Sequence, residues 1–264
     1  MSGLQSSPAG RPDLAALRAV VQPPALVTDV SREHWMGRLY MRRLSLHLTR
    51  LLTTSRVTPD GVTWAMVVSG LAAALVLTVP SPWATAGAVM LVQLQLLFDC
   101  SDGELARWRG VSGARGVYLD RFGHYTTDSA VVAAVGVHAD GGLGSIGGWT
   151  TVGLAAAVLV LVSRAETDLV HVARVFAGLP RMEATAVTPR AGRVRALRRA
   201  VYRLPINRLL LAWDLSLALV AAAVADAVTG SVRADQVLAV VLAAVGVLVV
   251  LGHFISVLAS GRLR

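Results

Sequence analysis

Hydrophobic positions along this chain come in long blocks. They show neither the strict alternation of half-buried strands nor the one-sided stripe of a soluble helix. From Gly61 to Phe98 there is no charged residue. A membrane-crossing helix needs about 20 apolar residues, so the run is too long for one. Val79-Pro80-Ser81-Pro82 interrupts it, and proline ends helices by removing a backbone donor and clashing with the preceding turn. Two spans are therefore predicted, at 61–79 and 83–98. A third is predicted at 117–138, closed by the glycine-rich stretch 140–148, and a fourth at 149–163, continuing as helix to Ala177. A basic loop at 179–205 leads to a fifth span at 206–225 and a sixth at 236–259.

Ahead of the first block, residues 33–52 read EHWMGRLYMRRLSLHLTRLL. Trp35, Leu39, Leu44, Leu48 and Leu51 make one apolar side, and Arg38, Arg42, Arg43 and Arg50 supply the cationic remainder. This pattern predicts an amphipathic helix lying in the membrane interface; a solvated helix packed on a neighbour would carry it too. Residues 1–30 are rich in Ser, Pro, Gly and Ala, without the basic start and apolar core of a signal peptide. They read as a mobile cytoplasmic tail with one short helix near Leu14–Val21. The expected fold is all-α. A membrane-embedded domain over 31–264 holds six transmembrane helices behind the interfacial helix.

Composition agrees with that class. Charged residues are 16% and apolar residues 55%, with a mean hydropathy of +0.60. Soluble domains carry about 25% charged residues, so a soluble globular enzyme and a disordered chain are both excluded. All 25 basic residues are arginine, against 16 acids, for a net charge of +9. Such an excess suits nucleic acid, anionic lipid or phosphorylated substrates; in a chain of membrane spans, lipid and phosphorylated substrates are the expected partners, not nucleic acid. Arginine without lysine, beside much Ala and Val, also suits a GC-rich, bacterial genome. With six spans, 24 arginines fall on one side and only Arg233 on the other. The positive-inside rule then puts both termini, and the polar chemistry, at the cytoplasmic face of the plasma membrane. The single cysteine, Cys100, excludes an intrachain disulfide and a cysteine-built zinc site.

The chemistry concentrates in FDCSDGELARWRGVSGARGVYLDRFGHYTTD, Phe98 to Asp128. Carboxylates at the end of an apolar helix are costly unless paired or bound to a cation. At about 100° per residue, Asp99, Asp102, Gly103, Ala106 and Gly110 share one helix face, and Gly116, Asp120, Gly123, His124 and Thr127 share another. A short turn between the two helices would bring three carboxylates and an imidazole to one spot, with glycines leaving room for a ligand. Clustered hard oxygen ligands favour Mg2+ or Mn2+, completed by substrate phosphates. Arg107 lies close enough to take a phosphate. A lone intramembrane acid would equally serve a helix–helix hydrogen bond or a proton relay; three acids in this order with Gly and Arg point to a metal site.

This stretch resembles the signature of the CDP-alcohol phosphotransferase family, D-x2-D-G-x2-A-R-x8-G-x3-D-x3-D. Asp99, Asp102, Gly103, Ala106, Arg107, Gly116 and Asp120 match, and His124 stands at the last position, so seven of eight fixed positions agree. Thr58-Pro59-Asp60 is similar to the family's Thr-Pro-Asn entry to its first helix, and the resemblance extends over roughly residues 33–260. It implies an integral-membrane transferase with two divalent ions, Mg2+ or Mn2+, held by Asp99, Asp102, Asp120 and His124. A CDP-alcohol donor such as CDP-diacylglycerol would bind beside them, with Gly103, Ala106, Gly116 and Asp60 around the cytidine moiety and Arg107 on its phosphates. An acceptor hydroxyl would attack the β-phosphorus and CMP would leave. The family's last position is Asp, read as ligand and general base; here His124 would keep the base role beside Asp120, with Asp128, one turn on, orienting its ring. An altered or inactive site is the alternative. The resemblance also suggests a homodimer.

For the acceptor, Arg164, Arg174, Arg181 and Arg208 lie near the inner ends of the fourth and fifth spans. They would suit an anionic sugar- or polyol-phosphate, Arg164 foremost because it neighbours Glu166 and Asp168; topology alone would also place arginines there. Arg190–Arg203 reads as a solvated or headgroup-binding segment. The expected function is transfer of a phospho-alcohol, in the first place a phosphatidyl group, from CDP-alcohol to an alcohol. A non-lipid CDP-polyol donor is open within that class. Outside it stand a transporter whose acids relay ions and a membrane protein using them structurally.

Overall fold

The computed structural model describes residues 11–24, 34–179 and 205–259. Among these, every regular element is helical: α1 (Leu14–Val21), α2 (Arg42–Leu52) with a π-helical turn (Gly37–Met41) leading into it, α3 (Pro59–Leu77), α4 (Pro82–Arg109), α5 (Ala114–Ala139), α6 (Gly148–Phe176), α7 (Ala212–Thr229) and α8 (Arg233–Ala259). Short 3-10 turns lie at Leu143–Ser145 and Pro205–Leu210. Five helices, α3, α4, α6, α7 and α8, are long and apolar enough to cross a membrane. The predicted third span corresponds to α5, which is long enough at 26 residues but is not among the five. Arg115, Asp120, Arg121, His124 and Asp128 lie along it. The basic loop, with Arg181 and Arg190–Arg203, lies outside the described residues apart from its ends, as do residues 1–10 and 25–30 of the tail.

Local chemistry sets the helix ends. Pro59 opens α3, and the Thr58 hydroxyl accepts from the Gly61 N–H at 3.1 Å, an N-cap ahead of a first-turn proline. Pro82 opens α4, which separates the two apolar runs as expected. However, α4 does not stop at Phe98; it runs on to Arg109. Charged residues there lie on a continuing helix, which closes at Gly110, in left-handed backbone at φ 65°, where the Val111 N–H reaches back to the Ala106 carbonyl at 3.0 Å.

The described residues group into two compact units. The first comprises those up to Gly70 together with Leu91–His124. Its centre is an apolar cluster of Leu17, Val21 and Leu46, with Leu14 and Trp108 against it. Beside it the fully buried Glu104 accepts from Gln22 Nε2 at 2.8 Å, Ser45 Oγ at 2.7 Å and Thr49 Oγ1 at 2.8 Å, and pairs with Arg42 at 3.4 Å. This corrects the expectation of a wholly mobile tail. The supposedly mobile tail holds α1 at its predicted place, but docked, capped by Asp13 and tied by Arg50 Nε to the Pro12 carbonyl at 2.8 Å. The leading amphipathic helix also turns a partly polar face inward, Ser45 and Thr49 beside Met41 and Leu46, because Glu104 needs their hydroxyls. Trp35, Leu39, Leu44 and Leu51 face outward.

The second unit comprises Leu71–Met90 and the described residues from Tyr125 onward. Small residues let its helices approach closely. A Cβ on Gly136 would fall 2.3 Å from the Trp149 carbonyl, and one on Gly246 would fall 2.8 Å from Leu159 Cβ. Such contacts suit helices with no hydrophobic drive to associate inside lipid. Large apolar side chains remain on the surface, Leu75 and Leu248 among them, at 67% and 62% exposure. The polar exceptions are tied off: His138 bonds the Leu77 carbonyl at 2.8 Å and meets Asp235 at 3.4 Å.

Candidate active site

Within the first unit, α4 carries Asp99, Asp102, Gly103, Ala106 and Arg107 along one face at helical spacing. Residues 110–113 connect it to α5, whose first turns carry Gly116, Asp120 and His124. The entry to α3 adds Pro59, Asp60 and Thr63. A cavity of about 320 Å³ is lined by all of these except His124. All seven residues that match the family signature therefore line one cavity, together with Asp60.

At its edge, Asp99, Asp120 and His124 offer ligand atoms that all lie within 4.8 Å of one another. His124 Nε2 is 3.0 Å from Asp99 Oδ1 and 3.6 Å from Asp120 Oδ1. Asp102 is buried, and its Oδ2 accepts from Thr63 Oγ1 at 2.7 Å. Asp60 pairs with Arg115 at 2.9 Å. Arg107 is aimed by one bond, Nε to the Val21 carbonyl at 2.7 Å, and takes no carboxylate partner among the described residues. A Cβ on Gly103 would come 3.2 Å from Arg107 Nη1, so glycine there lets the guanidinium lie against the helix. Two carboxylates and an imidazole in this geometry suit a divalent cation, with Asp102 one turn along α4 from Asp99.

Other expected site residues lie elsewhere. Asp128 does not orient His124: its Oδ2 pairs with Arg164, and its Oδ1 is buried without a hydrogen bond. A charge-assisted pair with a guanidinium outcompetes a bond to imidazole. The same pair removes Arg164 from the role of an uncommitted acceptor ligand. Arg174 is buried on the same helix, ten residues further on, or about 15 Å along the axis. Arg208 sits in the 3-10 turn before α7. None of these three arginines lines the cavity described above. Sequence reasoning missed Thr63, Arg42 and Glu104. Thr63 lies one helical turn after Pro59, a spacing that could have flagged it; the partners of Glu104 are up to 82 positions away in sequence, beyond any local pattern.

Compared with the models of known protein families and with curated protein sequences, the chain matches none.

Proposed function

We propose that this chain is a metal-dependent CDP-alcohol phosphotransferase, moving a phospho-alcohol, foremost a phosphatidyl group, to an acceptor hydroxyl with release of CMP. The reading rests above all on one observation: residues spread over a signature of eight positions in sequence line one cavity, with a metal-ligating cluster at its edge. Asp99, Asp102, Asp120 and His124 would hold the divalent ions, Mg2+ or Mn2+, whose charge would offset that of the donor's phosphates. Arg107, held by the Val21 carbonyl, presents its terminal nitrogens to those phosphates. Gly103, Ala106 and Gly116 keep the wall low enough for the cytidine moiety, with Asp60 at its entry. Where the carboxylates alone hold the ions, His124 is the base: with Nε2–H donating to Asp99, its other ring nitrogen would take the proton of the attacking hydroxyl, and the imidazolium so formed would stand between Asp99 and Asp120. Asp99 thereby fills the role that sequence assigned to Asp128.

The proposal includes the finer membrane arrangement: α5 as the sixth crossing, the outward leucines of the α2 segment in the headgroup region, and the arginine-rich side in the cytoplasm. The test is to incubate purified protein with CDP-diacylglycerol, Mg2+ or Mn2+ and a panel of alcohols and polyol phosphates, and to measure CMP. Metal-dependent CMP release that Asp99→Asn abolishes is the expected result. No CMP from any lipid or soluble CDP-alcohol, in protein shown to be folded, would overturn the reading.

A further inference from the structure

A second cavity, of about 850 Å³, lies wholly within the second unit, between α7 and α8. Its α7 wall is made by Ala218, Ala221, Ala222 and Ala225, and its α8 wall by Val237, Leu238 and Val241. Ala221, Ala225 and Val237 are exposed, so the cavity is a groove open to the molecular surface. Its composition changes along its length. One end is Ala, Val and Leu only; the other holds Asp226, Thr229, Ser231 and Arg233.

The polar end holds one acid, Asp226, and one cation, Arg233. Asp226 accepts from the N–H groups of Ala234 at 2.8 Å and Asp235 at 3.1 Å, and so caps α8. Arg233 is exposed, and its guanidinium takes no carboxylate partner among the described residues. It is the only arginine between Arg208 and Arg262. The groove is therefore amphiphilic: the Arg233 guanidinium, hydroxyls and an Asp226 carboxylate engaged by the backbone of α8 lie at one end, and a channel of small and branched apolar side chains leads from it. From Thr229 to Ala218 the channel runs about 16 Å along the helix axis. That is close to half of a hydrocarbon core about 30 Å thick, the depth of one leaflet. A helix from another protein would span both leaflets and would not need a cation at one end.

We propose that this groove holds one anionic phospholipid, its phosphate on Arg233 and an acyl chain along Ala225, Ala222 and Ala218. The site is separate from the proposed reaction and does not depend on it. It is tested by native mass spectrometry of the full chain released from detergent, titrated with phosphatidylglycerol or phosphatidylcholine. One phosphatidylglycerol should bind with about five-fold preference over phosphatidylcholine, the selectivity of a single arginine near a lipid surface. Arg233→Gln, a surface change that leaves the packing intact, should abolish that preference while keeping phosphatidylcholine binding. Ala225→Leu, which narrows the channel, should weaken both lipids. Unchanged selectivity in Arg233→Gln would overturn the proposal. So would an Ala225→Cys variant that oxidises efficiently to a disulfide-linked dimer, which would show a second copy of the chain lying on the groove.

Discussion

Substituting His124 isolates the electrostatics of the cluster. In the wild type, His124 Nε2 meets Asp99 Oδ1 at 3.0 Å and Asp120 Oδ1 at 3.6 Å. His124→Asp puts a third carboxylate where a hydrogen-bond partner stood. Two like charges about 4 Å apart repel by about 4 kcal/mol at an effective dielectric constant of about 20. The side chains of Asp99 and Asp120 are 23% and 41% exposed, so water and rotamer relaxation remove most of that, leaving about 1–2 kcal/mol. The lost hydrogen bond adds about 1 kcal/mol. Metal-free His124→Asp should therefore be about 2–3 kcal/mol less stable than wild type. A divalent cation inverts the sign, because the added carboxylate becomes a hard ligand. At a hundredfold excess over Kd, binding to the native state contributes about 2.7 kcal/mol. The assay is thermal unfolding of detergent-solubilised protein, followed by tryptophan fluorescence, in EDTA and across a series of Mg2+ and Mn2+ concentrations. The wild type should lead in EDTA, and the gap to His124→Asp should close or reverse as metal is added. His124→Ala should lose stability in EDTA and regain less with metal than either. If metal shifts all three proteins equally, or none, the ion does not bind at this cluster.

Three further outcomes follow from the packing. Glu104→Ala takes an acceptor from each of Gln22, Ser45 and Thr49 and an ion-pair partner from Arg42; a loss of about 3–5 kcal/mol is expected, read as the unfolding midpoint in detergent, and a loss below about 0.5 kcal/mol would show that the network does not hold the first unit together. Gly153→Ala drives a methyl to 2.7 Å from Gly136 Cα, backbone against backbone, and should cost about 1–3 kcal/mol, with a wild-type midpoint refuting the close approach. Asp140 lies between α5 and α6; burial works to raise its carboxyl, but hydrogen bonds from the Thr150 side chain and from the backbone of Thr150, Gly147 and Trp149 outweigh it and hold it below the ordinary carboxylate range. Its contribution is thus complete above the unfolded carboxylate value, about pH 4, and fades as pH falls through the lower folded value, so the wild-type midpoint should drop more steeply than that of Asp140→Asn in acid, and parallel pH profiles would contradict the cap.

Much of this architecture is legible in the sequence. The apolar blocks and their prolines locate α3, α6, α8 and the start of α4 to within a few residues, because long hydrophobic runs carry a strong period-independent signal and Pro82 favours the start of a new helix. The seven signature residues on the cavity wall are equally legible, since helical spacing alone puts Asp99, Asp102 and Arg107 on one side. What escapes has nonlocal causes. Charge usually marks the end of a span, which suggests a boundary at Phe98, whereas here α4 continues and its charged side chains find partners in α1, α2 and α3. Asp128 is the neighbour of His124 on the same helix, but Arg164, 36 positions away, pairs with it instead. The leucines of the α2 segment are legible as one apolar side, but nothing in the local pattern shows that Ser45 and Thr49 line the inward face, because they answer Glu104. Each miss is a polar group whose partner lies far along the chain, where no periodicity reports it.

The treatment of acids within the first unit separates structural from chemical roles. Glu104 is fully buried, yet three donors and one guanidinium answer its charge, so it costs the fold little and asks for no ligand. The cavity beside it is provided for differently. Of its lining charges, Arg42 already serves Glu104, and Asp60 is matched by Arg115. The carboxylates of Asp99, Asp102 and Asp120 share this wall with the guanidinium of Arg107, and His124 lies between two of the three acids. Packing does not require three carboxylates so close together; alanine or leucine at these positions would fill the same helix faces without repulsion. Acids gathered on one wall in this way are reasonable if a cation arrives from outside.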